Sequence, residues 1–441
     1  MFLVSRTARV RTRGWAAVVC LTMSMAVVAQ SAPPSLETSS ALERAPPVLV
    51  TALREVWARN PAAQAAEAQL ALATAKADAA GRPIYNPELD INAENADVDT
   101  RSVGISQTID WSGKRDARQT AASAEIRAAE AELDGTRQRI ALDWLRGFTG
   151  FQVATEQAAL GARRVGLLEQ FSSLAERRFR AGDIPVLERD LAVLATQEAR
   201  AQQAGLIAEQ AKARQILIGV GGRSAALPPL PRSLPPAVDD AALDSSRLAA
   251  LPALRRAQAE TEAAQARVSM AERDRKADPT FSLTGGRVRN GPFNDRVIGV
   301  AVKIPLFVRN SYSAEVTAAR SNVDVAAASQ RDLALRAGAE AEQTGESYNA
   351  LREAWLAWEN SRVPSADERA VLLQKLWEAG EISASDYLVQ LKQSLDTELT
   401  AAGLRARVWQ AWTDWLAASG GVAAWLGSAD ITSTNSGELP R

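Results

Sequence analysis

The chain has 441 residues, is 46% hydrophobic but only 5% aromatic, and carries 51 Lys and Arg against 52 Asp and Glu, a formal net charge of −1. It has no histidine and one cysteine, which excludes a Ser-His-Asp triad, a disulfide framework and the usual soft-metal ligand sets. The charge balance gives no reason to expect nucleic acid, and the alanine-rich apolar content favours long, closely packed helices over one thick core.

In chain order, residues 1–29 read as an export signal: Arg6, Arg9, Arg11 and Arg13 precede an apolar run from Trp15 to Val28, and Val27-Val28-Ala29 suits cleavage before Gln30. Cys20 lies inside that run. As a lipid-anchoring residue it would lack the small neighbour such sites use, since Ala17-Val18-Val19 precede it. Cleavage would leave 47 cationic side chains against 52 acidic ones, a net charge of −5. No other stretch approaches the ~20 apolar residues of a spanning helix, so any membrane crossing must use strands. Residues 30–47 read as an N-terminal linker.

Beyond the linker the chain is one unit written twice, at 48–222 and 247–420. Phe179-Arg180-Ala181-Gly182-Asp183-Ile184 matches Trp377-Glu378-Ala379-Gly380-Glu381-Ile382, and the same offset carries Glu188 onto Asp386, Leu217 onto Trp415 and Gly222 onto Gly420. Upstream, Val103-Gly104-Ile105 matches Ile298-Gly299-Val300, and Asn86-Pro87 matches Asp278-Pro279.

Each unit opens with an alanine-rich helical arm, 48–80 and 247–277. Two alternating segments come next. In 88–96, Leu89, Ile91 and Ala93 oppose Asp90, Asn92 and Glu94; in 101–111, Val103, Ile105, Ile109 and Trp111 alternate with small and polar residues. The second unit repeats the pattern with Phe281 and Leu283, then Ile298, Val300, Val302 and Ile304. Period-two alternation over about ten residues predicts strands, either a half-buried soluble hairpin or barrel strands apolar towards lipid. A proline-free stretch from Gly113 to Arg178 then predicts a helix of roughly 100 Å. Its partner, 309–378, carries Pro364 as an expected kink. An Ala-Gly reversal leads into the return helices 184–218 and 382–418. The Pro-rich segment 223–246 is the linker between the units, and 421–441 is expected to be a flexible tail.

Three pieces of this pattern are specific: the Asn86-Pro87-Glu88-Leu89 strand start, the Trp111-Ser112-Gly113-Lys114-Arg115 strand-to-helix joint, and the Arg178-to-Pro185 helix tip. Through them the chain resembles the outer membrane efflux protein (TolC-like) family, in its cobalt-zinc-cadmium resistance branch.

The resemblance implies a mainly α fold with a small membrane β part. Its two tandem repeats of helix, β-hairpin, very long helix and helix would close as a homotrimer. That trimer has a 12-stranded outer-membrane β-barrel and a periplasmic α-helical barrel. It also implies three kinds of partner: a periplasmic adaptor, an inner-membrane resistance-nodulation-division pump and outer-membrane lipid. The implied function is a passive exit duct for divalent heavy-metal cations, with no enzymatic activity, cofactor or resident metal. The alternatives are a duct for organic compounds or secreted protein, and a periplasmic helical adaptor or scaffold.

The family places pore-gating acids at Asp386 and Glu188; Val389 stands where some members carry a second acid. Adaptor docking falls at the tips, Gly182 and Asp183 with Gly380 and Glu381. Read from the residues alone, the two acids complement helix N-terminal dipoles and the glycines stop helices. At the joint, formed by Trp111, Gly113, Lys114 and Arg115, the basic pair is expected beside lipid headgroups at the periplasmic edge.

Overall fold

A computed structural model describes residues 44–223, 227–231, 233–238, 245–361 and 366–427. The expected signal segment with Cys20, the Pro364 kink and most of the tail lie outside the described residues. The elements are α1 (Pro47–Arg59), α2 (Pro61–Ala80), β1 (Glu88–Glu94), β2 (Val98–Thr108), α3 (Lys114–Ala181), α4 (Val186–Gly219), α5 (Ser245–Ala249), α6 (Pro252–Asp274), β3 (Thr280–Asn290), β4 (Phe293–Lys303), α7 (Ser313–Asn360), α8 (Ala366–Glu378), α9 (Ala384–Ala418) and α10 (Val422–Trp425). The fold is mainly helical with one small antiparallel sheet.

Both helical arms break where the sequence places proline. Asn60 and Leu251 precede Pro61 and Pro252, and both are extended, with ψ of 122° and 132°. A residue before proline is pushed out of the α region by the ring's Cδ, whereas proline itself fits the first helical position. The arm expected over 48–80 is therefore two helices, α1 and α2.

The sheet has the order β1-β2-β3-β4, every pair antiparallel. Its register aligns Leu89, Ile105, Leu283 and Val300 across all four strands. These side chains remain exposed, as do Ile91, Val103, Ile298 and Val302. On the opposite face of β2, Gly104 and Ser106 are buried. Side chains alternate between faces along a strand, so the apolar face is uncovered, and the other face is partly covered at β2 and β3 but not at β1 and β4.

α3 runs for 68 residues without interruption. Near the sheet it packs between α2 and α6, and α6 continues onto α7. Ion pairs tie α3 to α6, among them Arg255–Asp134 at 2.6 Å and Arg256–Glu132 at 2.5 Å. All are partly exposed, so each is worth at most ~1 kcal/mol and they set register more than stability. Away from the sheet α3 packs on α4 and α9.

Two hydrophobic cores result. The first joins α1, the middle of α3, the later part of α7 and the end of α9, around Leu53, Trp144, Phe148, Tyr348, Val408 and Leu416. α10 completes it. Residues 421–427 are thus not the start of a flexible tail: Val422 and Trp425 are buried, and the Ala45 N–H donates to the Trp425 carbonyl at 2.7 Å. Burial of these two side chains, with Leu426, holds the segment against the first core. The linker also packs where it is described, with the Tyr348 hydroxyl donating to the Pro235 carbonyl at 2.7 Å. The second core, between the ends of α3 and α8 and the starts of α4 and α9, is built on Phe171, Trp377, Tyr387 and Leu391.

Candidate functional site

Three regions carry the sequence-derived candidates: the strand-to-helix joint, the helix tips and the exposed sheet. At the joint Gly113 adopts φ 72° and lets the chain turn from β2 into α3. The Arg273 guanidinium, donating to the Gly113 carbonyl, occupies the space a side chain there would need. The Asp110 carboxylate accepts the Lys114 and Arg115 backbone N–H groups, both at 2.8 Å. It thereby satisfies two of the orphan donors that open α3. Burial alone would raise the Asp110 pKa, but the backbone donors of Arg115, Lys114 and Gly113 hold it below the ordinary value. Trp111 leaves its ring exposed while its indole N–H donates to the Ala277 carbonyl at 2.8 Å.

Lys114 does not face lipid headgroups. Its ammonium lies 2.9 Å from a carboxylate oxygen of Asp278, and both side chains are nearly buried, at 13% and 3% exposure. The same carboxylate accepts the Tyr85 hydroxyl at 2.9 Å and the Ser112 hydroxyl at 3.1 Å. Burial and the Asp278 charge push the Tyr85 hydroxyl up to about 12. Only Arg115 of the expected basic pair points outward, half-exposed and 3.7 Å from Asp116. Sequence reading missed Asp278, Tyr85 and Asp110. The available signal was Asp278 itself, a charged residue where the first unit has Asn86.

At the tips, Gly182 has φ 83° and Gly380 φ 78°. Each ends its helix with paired closing hydrogen bonds. Asp183 N–H donates to the Arg178 carbonyl at 2.8 Å and Glu381 N–H to the Leu376 carbonyl at 2.9 Å. Gly182, Asp183, Gly380 and Glu381 are all exposed. Beneath them Phe171 stacks on Tyr387 with ring centroids 4.3 Å apart and tilts against Trp377 at 4.6 Å. Arg178 lies 4.9 Å over the Trp377 ring and donates to its backbone carbonyl at 2.8 Å. The first hairpin is therefore fastened to the second at the end farthest from the sheet.

Asp386 sits in the first turn of α9 in a capping box. It donates its backbone N–H to the Ser383 hydroxyl at 3.1 Å, and its carboxylate accepts from the Ser383 N–H and hydroxyl. Its side chain points to solvent while neighbouring Tyr387 turns into the core. Glu188 occupies the first turn of α4, where Pro185 at the N-cap offers no hydroxyl. No hydrogen bond or ion pair joins the two acids to each other, and Val389 is exposed. Among the described residues no three carboxylates, histidines or cysteines gather closely enough to hold a metal ion, and no helix is long and apolar enough to cross a membrane.

The fold is a four-stranded sheet with a bare apolar face, carried on very long helices. Solved structures share it. The outer membrane channel CmeC of Campylobacter jejuni superposes with a TM-score of 0.69 over 85% of each chain, at 15% identity. CusC, whose structures describe folding and transmembrane channel formation, gives a TM-score of 0.67 over 84% of this chain and 91% of its own, at 16% identity.

Residues 52–223 match the outer membrane efflux protein family. The cobalt-zinc-cadmium resistance protein CzcC of Cupriavidus metallidurans is 29% identical over 239 residues, 52% of this chain and 56% of that one. That match spans about half the length of the relative. The resemblance to the outer membrane efflux proteins read from the sequence is borne out by these comparisons. The family is one of channels, not enzymes.

Proposed function

We propose that the chain is one protomer of a homotrimeric outer-membrane duct with a large periplasmic part, the exit component of a tripartite efflux system driven by a resistance-nodulation-division pump. The sheet carries this reading. Its apolar face is uncovered, and among the described residues β1 and β4 each leave one edge without a strand partner. Exposed edges with an apolar face are costly in water and impossible in lipid unless the sheet closes. Three sheets of four strands make a barrel of twelve, which is even-numbered as such barrels are. The helical layer has the same need, since α2 and α7 end the row α2-α3-α6-α7. An adaptor or scaffold has no use for a bare apolar sheet.

The duplicated units, 48–222 and 247–420, are the halves of this design. The tips Gly182-Asp183 and Gly380-Glu381 are the adaptor-docking surface, and Asp386 and Glu188 line the periplasmic throat. Three Asp386 carboxylates in a narrow aqueous ring would favour cations. Divalent heavy-metal cations are the proposed cargo, on the name of the CzcC relative. A chain without histidine leaves metal choice to pump and adaptor.

Native mass spectrometry of the detergent-purified protein should report three chains. A protein that stays monomeric and soluble without detergent would overturn the duct. Deleting the gene should lower tolerance to at least one of cobalt, zinc, cadmium, nickel and copper; unchanged tolerance to all five would point to organic cargo.

A further inference from the structure

The hairpin end of the sheet, farthest from the helices, carries a cationic row that the duct itself does not use. Arg101, Arg287 and Arg296 stand directly opposite one another on β2, β3 and β4. All three are exposed, and among the described residues no ion pair engages them. Directly opposed positions lie ~5 Å apart, and like charges there are destabilising. The carboxylate nearest on this face, Asp99, is taken by Arg289 at 3.7 Å. Glu94 and Asp295 alternate onto the other face, opposite Thr100 and Val288, and Asp97 lies in the turn before β2. An arrangement that repels itself and has no internal counter-charge is built for an external anion.

Its position identifies the anion. The row shares its face with the apolar band. One step towards the helices come Val103, Gly285 and Ile298, then Ile105, Leu283 and Val300. Cations bordering a lipid-facing band meet lipid headgroups. Gly285 adds a second feature: it leaves the surface between Val103 and Ile298 without a side chain, and open space lies where a Cβ would stand. Gly285 therefore leaves a gap in the apolar band beside Arg287.

We propose that Arg101, Arg287 and Arg296 bind the phosphate groups of a phosphorylated glycolipid of the outer leaflet, with an acyl chain against Gly285. Guanidinium groups suit this because each presents a planar fork to phosphate oxygens. The proposal rests on the outer-membrane reading above. It gives the row a purpose: bound phosphate relieves the repulsion between strands and fixes the depth of the barrel in the membrane.

Native mass spectrometry of the full-length, detergent-purified protein with bisphosphorylated lipid A, its dephosphorylated form and phosphatidylcholine tests this. The wild type should retain lipid A preferentially, and the triple variant R101Q/R287Q/R296Q should retain roughly tenfold less or lower still. The variant R101K/R287K/R296K should retain part of the binding, and Gly285→Val should weaken it with the arginines intact. Equal retention of phosphorylated and dephosphorylated lipid, or of lipid A by wild type and triple variant, overturns the site. Full displacement of lipid A by millimolar inorganic phosphate would make it a free-phosphate site and also overturn the proposal. The same spectra report oligomer mass. A monomer that needs no detergent defeats the outer-membrane reading itself, whereas an oligomer that ignores the phosphates defeats only this inference.

Discussion

Replacing Asp278 by Asn tests whether the joint is held by a buried charge. Asp278 is 5% exposed and takes three donors: Lys114, Tyr85 and Ser112. Asparagine keeps an acceptor oxygen for one of them but leaves the Lys114 ammonium without its counter-charge, on a side chain only 13% exposed. Removing one partner of a buried pair costs ~3–5 kcal/mol. Lys114 has a flexible stem that can swing outward, so the expected loss is about 2–4 kcal/mol. Lys114→Met alone should cost less, about 1–2 kcal/mol, because Asp278 still accepts two hydroxyls. The double variant D278N/K114M should fall short of the sum by ~1 kcal/mol or more, since neither charge is then stranded. Tryptophan fluorescence of the detergent-purified protein along a urea series reads all three losses as midpoint shifts. A D278N loss under ~0.5 kcal/mol, or strict additivity, would refute the idea that the pair organises the joint.

The tips and tyrosines supply the other tests. Ser383→Ala should cost ~1 kcal/mol by removing the cap of α9 while leaving the Asp386 carboxylate in place. Asp386→Ala should in addition weaken cation preference in bilayer conductance; equal selectivity in the two variants would put Asp386 outside the throat. Gly182→Ala or Gly380→Ala should each cost ~1 kcal/mol through positive φ with no steric clash, since open space surrounds both; neutral thermal melts would contradict this. Trp377→Ala should cost ~3–5 kcal/mol and make the α8–α9 tip more open to protease; wild-type proteolysis rates would exclude a role for this ring in holding the tip.

Burial pushes the Tyr387 hydroxyl up to about 12, with Glu378 adding to it, and raises Tyr348 further. Together with Tyr85, these groups hold their protons more tightly folded than unfolded, where tyrosine titrates near ~10. Their stabilisation is therefore complete below pH ~10 and drains away as pH rises through 12. A urea midpoint unchanged between pH 9 and pH 11.5 would show that the three hydroxyls are not buried as described.

Local patterning made much of the architecture legible. Period-two alternation located the four strands, because the two faces of a sheet meet different surroundings. The absence of proline between Gly113 and Arg178 announced a helix that nothing interrupts. Gly182 and Gly380 marked the reversals because only the backbone's own sterics decide a left-handed turn. The breaks at Asn60-Pro61 and Leu251-Pro252 were readable by the same rule and were passed over, since alanine periodicity continues across both. Lys114 was misread because a lysine next to an arginine looks like surface.

What the sequence determined by itself was everything governed by near neighbours: the order of helices and strands, where they turn, and which strand face is apolar. The tertiary structure alone decided what meets across distance. Asp278 reaches Tyr85, Ser112 and Lys114 from the other half of the chain, and Phe171 reaches Trp377 and Tyr387. It set Asp386 facing out and Tyr387 facing in, and it aligned three arginines on three strands. Such pairings depend on register and packing between segments that are remote along the chain, and no local periodicity encodes them.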